Sequence, residues 1–191
     1  MIREMTSTWA VRNNLTLFAL LSLGVCTSTP ALAASDGELA ATSSANSEIS
    51  VTIPPLIQIS GVSDLELGTW TDVNTNLEKG AEVCIYTNLS SAGYQVTASG
   101  DGTGGAFEMT DSGSGATIPF SLEWNDEATP TGATALTAGS ALSGQNGANT
   151  TSQNCGGGTN AYIKASIGAP ELIEAESGDY QGTVSILVEP N

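Results

Sequence analysis

The sequence predicts an all-β fold built as a β-sandwich, and three observations predict it. Apolar and polar residues alternate over short runs, most cleanly at Ile49, Val51, Ile53 and at Tyr180, Val184, Ile186, Val188. Clusters of Gly, Asp, Ser and Asn cut the chain at short intervals. Beyond the first 33 residues, no stretch carries the 3.6-residue apolar period of an amphipathic helix.

The first segment reads as an export signal. Arg3 and Arg12 supply a basic start, residues 15–25 an apolar core, and Ala31, Leu32 and Ala33 a small-x-small cleavage site, which places the signal at residues 1–33. The apolar core is too short to span a bilayer stably. Cys26 follows the bulky Val25, a poor fit to a lipoprotein site. Residues 34–47, ASDGELAATSSANS, are small and polar and have the composition of a flexible extension. The domain then runs over residues 48–191.

From Glu48, the order Ile49, Ser50, Val51, Thr52, Ile53 puts three β-branched residues on one face of an expected first strand. Pro54 and Pro55 donate no backbone hydrogen bond, so they mark an edge position or a break between two short strands; Leu56, Ile57 and Ile59 form the second. Further strands are expected at residues 65–70, 82–87, 93–99, 106–110, 117–124, 159–167 and 179–189. Residues 132–158 are nearly all small or polar, with Leu136 and Leu142 to bury, and read as a long surface excursion tied down at Cys155. That many short strands without a helix form a sandwich.

Without residues 1–33, two lysines, Lys79 and Lys164, stand against nineteen carboxylates, a net charge of −17 on 158 residues. Such a surface repels phosphate backbones, which argues against nucleic acid and anionic membranes as partners and for solubility outside the cell. The length suits one domain with a real core. Cys84 and Cys155 are the remaining pair, and an exported chain with two cysteines normally joins them. Two thiols without a histidine make a poor zinc site.

The order of these pieces resembles a known family. An alternating N-terminal strand is followed by Leu65-Glu66-Leu67-Gly68-Thr69-Trp70, then by Val83-Cys84-Ile85-Tyr86-Thr87-Asn88 and Tyr94-Gln95-Val96. Near the end come Ala161-Tyr162-Ile163-Lys164-Ala165 and the run from Glu176 through Gly178, Tyr180, Gly182, Thr183 and Val184 to Ile186. Together, over about residues 48–189, they resemble the spore coat U and archaic chaperone-usher pilin subunits. Two departures stand out: the second cysteine is late, at Cys155 instead of near the N-terminal strand, and Leu67 replaces the phenylalanine of the family's apolar-Phe-Gly turn.

The resemblance implies an immunoglobulin-like sandwich that lacks its final strand, leaving an apolar groove between first and last strands. A periplasmic chaperone fills that groove first, and the N-terminal extension of the next subunit fills it later, by β-augmentation. It assigns the donor role to Ile49, Val51 and Ile53, with Leu56 or Ile57 as extensions, and the acceptor and chaperone-binding role to Val184, Ile186 and Val188. The same donor residues could instead form the first strand of their own complete sandwich. The partners implied are other pilin subunits in a homopolymer, a chaperone that grips the C-terminal carboxylate of Asn191, and an outer-membrane usher. The route is export, passage through the periplasm and display on the cell surface. No apolar run follows the closing strand to cover its edge, and Pro190 removes one ladder donor there.

Enzymatic readings fare badly. The chain has no histidine, which eliminates His-based triads and most transition-metal sites, and no catalytic residue, cofactor site or metal site is assigned. Glu123, Asp126 and Glu127 beside Trp124 could form a glycosidase carboxylate pair, but read first as solvated turn charges. Asp101, Asp111 and Asp126 lie near Gly-rich turns that could serve calcium, without EF-hand spacing. Trp70, Trp124, Tyr94 and Tyr162 could make a sugar-binding face, but read first as core. The competing function is therefore a self-complete secreted β-sandwich that binds a glycan or calcium.

Overall fold

The computed structural model of the protein describes residues 34–191; the expected export signal lies outside the described residues. The chain divides into two compact units, Met1–Val51 and Thr52–Asn191. In the described part of the first, Ser35 and Asn46 exchange two backbone hydrogen bonds of 3.1 Å, closing the small polar stretch into an exposed loop.

The second unit is all-β apart from one short helix. Its strands are β1 (Ile57–Ser60), β2 (Leu77–Thr87), β3 (Tyr94–Gly100), β4 (Glu108–Asp111), β5 (Thr117–Pro119), β6 (Ser121–Asn125), β7 (Thr134–Ala135), β8 (Ala141–Gln145), β9 (Ala161–Ile167), β10 (Tyr180–Gln181) and β11 (Val184–Pro190). They form a sheet in the order β1-β2-β9-β6-β7, a second in the order β11-β3-β8, and a small third, β10-β4-β5, all with antiparallel pairing.

The period of two explains the layers. Along β9, Ala161, Ile163, Ala165 and Ile167 turn inward while Tyr162, Lys164 and Ser166 turn out. Val83 and Ile85 of β2, Leu122 and Trp124 of β6, and Tyr94, Val96 and Ala98 of β3 join β9 in one buried cluster between the first two sheets. Trp124 and Tyr94 meet edge to face at 6.5 Å, and Trp124 Nε1 donates to the Tyr94 hydroxyl at 3.3 Å. Burial pushes that phenol up to about 12. On the outer face, the register sets Lys164 beside Glu123, with Nζ 2.7 Å from the carboxylate.

Several expected strands change form. Residues 65–70 keep their alternation, with Leu65, Leu67 and Trp70 half-buried, but no strand pairs with them among the described residues. The expected strand over 117–124 is two, because Pro119 ends β5 without a ladder donor, and Phe120 donates to Phe107 O before β6 begins in the larger sheet. Residues 179–189 likewise divide at Gly182, where a side chain would strike Glu108 O and Met109. The supposed excursion at 132–158 holds β7 and β8, and β8 pairs β3 through Leu142↔Val96 and Ala141↔Thr97. Ala, Ser and Gly give that strand no propensity signal; its ladder supplies what composition lacks. The helix α1 (Ala169–Glu174) is too short to show a period, and it buries Leu172 against Ile118 and Ile167.

Cys84 on β2 is joined to Cys155, 71 residues away. Beside it, Asn149 N donates to Ile85 O at 2.8 Å and Thr87 N to Asn149 O at 2.9 Å, laying the excursion against the end of β2. Replacing both cysteines by serine should lower the unfolding free energy by about 4 kcal/mol, the chain-entropy value for a loop of this length. Urea unfolding of the oxidised protein and the double variant measures it; equal midpoints would show that the excursion holds without the cross-link.

Candidate functional site

The exposed feature with chemical meaning is a margin, not a pocket. β1 is hydrogen-bonded only to β2, and β11 only to β3, so each is the edge of its sheet among the described residues. The two strands run close, with Cα atoms within 8 Å, but share no ladder. Their inward residues, Ile57 and Ile59 on one side and Val184, Ile186 and Val188 on the other, are half-buried against the core. One strand deeper, Val83, Ile85 and Val96 are 0% exposed. The core is therefore thinly covered along this margin, and both flanking strands have one side free to take another.

β11 is fastened at both ends. At its start, Asp101 Oδ2 accepts from Thr183 N at 3.0 Å. At its end, Asn191 N donates to Gly93 O at 3.3 Å and Asn191 Nδ2 to Tyr94 O at 3.2 Å. Upstream, Asp111 accepts from Ser114 N and Oγ at 2.7 and 2.8 Å and from Asp179 N at 3.1 Å, pinning the turn that leads into β10. Gly178 is required there: a Cβ would come within 2.7 Å of the Asp111 carboxyl carbon.

The segment with Ile49, Val51 and Ile53 is not the strand that its alternation predicts. It pairs with no strand among the described residues, and the three side chains are 96%, 84% and 72% exposed. The physical reason lies in Pro54 and Pro55, which cannot carry the ladder of β1 backward, so pairing begins at Ile57↔Thr87. The residues expected as donor, Ile49, Val51 and Ile53, thus sit on an exposed apolar segment, and those expected as acceptor, Val184, Ile186 and Val188, on a half-covered apolar margin. Exposed alternation of this kind is the signal in the sequence; the half-burial of Ile57 and Ile59 has none.

The other candidates scatter. Trp124 and Tyr94 are in the core, Trp70 is half-buried and donates from Nε1 to Thr75 O, and Tyr162 lies on the outer face of β9 across Gly80, so the four aromatics form no common face. Asp126 accepts from Asn146 N, Asp101 and Asp111 are engaged as above, and Glu123 pairs with Lys164. No three Cys, Asp or Glu side chains converge as a metal site among the described residues. A surface concavity of about 290 Å³, lined by Asn76, Phe120, Ser166 and Glu171 among others, includes no residue of β1 or β11.

No family model matches the chain, and no curated protein matches it. Among solved structures, one described as a chaperone–tip adhesin complex vital for activation of CFA/I fimbriae biogenesis contains a chain that is similar to it at 16% identity and a TM-score of 0.49. The match takes in 71% of this chain and 41% of the other, so this chain spans less than half of that protein. No helix among the described residues is long and apolar enough to cross a membrane.

The hydroxyl and amide of Ser114, with further backbone donors, hold the Asp111 carboxyl below its ordinary value of 3.8. A carboxylate depressed in the folded state contributes stability that is present above the unfolded value and lost as pH falls through the folded one. Thermal unfolding should therefore show a decline below pH 3.8 that Asp111→Asn makes shallower, while lowering the midpoint at pH 7. An identical pH profile in the variant would remove Asp111 from the account of how β11 is positioned.

Proposed function

We propose that the protein is a structural subunit of a bacterial surface pilus, assembled by the chaperone-usher route through donor-strand complementation. The segment carrying Ile49, Val51 and Ile53 of one subunit lies as a strand between β1 and β11 of the next. One observation carries this reading: two unpaired strand edges flank a half-covered apolar margin, on a chain that also bears an exposed alternating apolar segment.

The energetics are adequate. Fully burying each of the three donor side chains stabilises by about 1.5 to 3 kcal/mol, and each ladder hydrogen bond adds about 0.5 to 1.5 kcal/mol, before the cost of ordering the segment. Head-to-tail donation does not close on itself, so the product is a fibre. Until a neighbour arrives, the open margin is an aggregation hazard, which is the role left for a periplasmic chaperone that supplies a temporary strand. Export to the cell surface follows from the signal-like residues 1–33 and suits the acidic surface. The role is structural and not catalytic, in keeping with a chain that has no histidine.

Purified residues 34–191, expressed without a chaperone, should convert on standing into a ladder of oligomers that resists dissociation in size-exclusion chromatography. Deleting residues 34–53 should abolish the ladder, and a synthetic peptide of residues 47–56 should bind the truncated domain and protect β11 amides from hydrogen exchange. Val51→Asp, which puts a charge at the centre of the donor face, should block polymer formation and leave the domain folded. A stable monomer with no affinity for the peptide would leave the self-complete glycan- or calcium-binding sandwich as the better description.

A further inference from the structure

The backbone on both sides of Pro55 is held by one side chain. β2 ends as a ladder partner at Thr87, which faces Ile57. One step further, the carboxamide of Asn88 takes over: Nδ2 donates to Pro54 O at 2.9 Å, and Oδ1 accepts from Leu56 N at 2.8 Å. The side chain spans Pro55 and presents the donor and the acceptor that a peptide unit of a neighbouring strand would present. The Leu56 carbonyl is bonded as well, accepting from Thr87 Oγ1 at 2.9 Å and from Asn88 N at 3.2 Å.

The prolines add their own restraint. Each fixes its φ near −65°, and the residue before a proline is confined to extended conformations, which covers both Ile53 and Pro54. From Ile53 to Ile57, every residue is therefore restricted by a ring, bonded to Asn88 or Thr87, or already in the β1 ladder. A run of this composition would otherwise be a semi-rigid but unanchored rod.

We infer that Asn88 is a positioning residue for the joint between subunits: by bracketing Pro55 it sets the direction in which the apolar extension leaves its own domain. The inference rests on the proposed function, in which that extension enters the next subunit. Two consequences follow. The angle between successive subunits is set within each subunit and not by a free linker, and part of the ordering cost of the donor segment is met before a partner arrives. The chemistry is specific to the carboxamide. Aspartate keeps the acceptor for Leu56 N–H but turns an oxygen toward the Pro54 carbonyl, and alanine loses both bonds.

The test uses residues 34–191 and the variants Asn88→Ala and Asn88→Asp. In monomers kept from assembling by Val51→Asp, the heteronuclear NOE of the Thr52 and Ile53 amides should fall in Asn88→Ala and fall less in Asn88→Asp, while the Trp124 fluorescence of the core is unchanged. In fibres of the same Asn88 variants without the Val51 change, electron micrographs should show an unaltered subunit spacing but a shorter persistence length. Equal NOE values in all three chains, or variant fibres as stiff as the parent, would overturn the inference. Should the alanine chain fail to fold, the aspartate chain decides it by the same readings. Should the parent chain form no fibres, the proposed function fails, and the NOE series alone decides whether Asn88 orders the exit.

Discussion

Among the described residues, the unpaired backbone edges of β1 and β11 are the constraint around which the rest is arranged. Each strand saturates one side of its backbone, on β2 and on β3, and leaves the other open. The apolar residues that these strands send inward reach the core but stay half-covered. Much of what surrounds the margin keeps it in place: Asp101 and Asn191 fasten the two ends of β11, Asp111 pins the turn before β10, and Asn88 with Thr87 fastens the entry to β1. Under the proposed function, that edge is what an extended segment of another subunit would pair with.

Carboxylates serve the same end. Of the nineteen after residue 33, four aspartates accept hydrogen bonds from backbone N–H groups. Asp72 accepts from Asn74 N, Asp101 from Thr183 N, Asp111 from Ser114 N and Asp179 N, and Asp126 from Asn146 N. Asp72 and Asp111 cap N–H groups of their own turns, while Asp101, Asp111 and Asp126 also reach N–H groups far along the chain and so tie separate segments together. Their summed charge acts at long range instead, opposing non-specific contact between copies of so acidic a chain.

Legibility in the sequence followed the strength of local signals. Alternating runs with β-branched residues are strands: Ala161–Ile167 at nearly the expected bounds, and Val184–Pro190 as the larger part of an expected strand that divides at Gly182. Ala141–Gln145 was invisible because its residues have no preference for a pleated surface; it is a strand because β3 lies beside it. The reverse holds at residues 49–53 and 65–70, where apolar residues alternate but no ladder partner is present among the described residues, since periodicity records which side chains share a face and not whether a neighbour exists. The site shows the same division. The alternation of Ile49, Val51, Ile53, Val184, Ile186 and Val188 is visible in the sequence, and the resemblance assigns it a role; Asn88, a lone polar residue at a strand end, carries no signal at all.

The amino-acid sequence alone determined the β class, the acidic surface, the absence of histidine chemistry, the pair of cysteines available to each other and the apolar faces of the first and last runs, because these are properties of composition and of neighbours along the chain. Only the tertiary structure decided which strands lie side by side, that β1 and β11 are both edges close to one another, that their inward faces stay half-covered, and that a carboxamide 34 residues away from Pro54 stands in for the missing strand partner. Pairing in a sheet joins residues far apart in sequence, so the free edges, unlike the faces, exist only once the chain has folded.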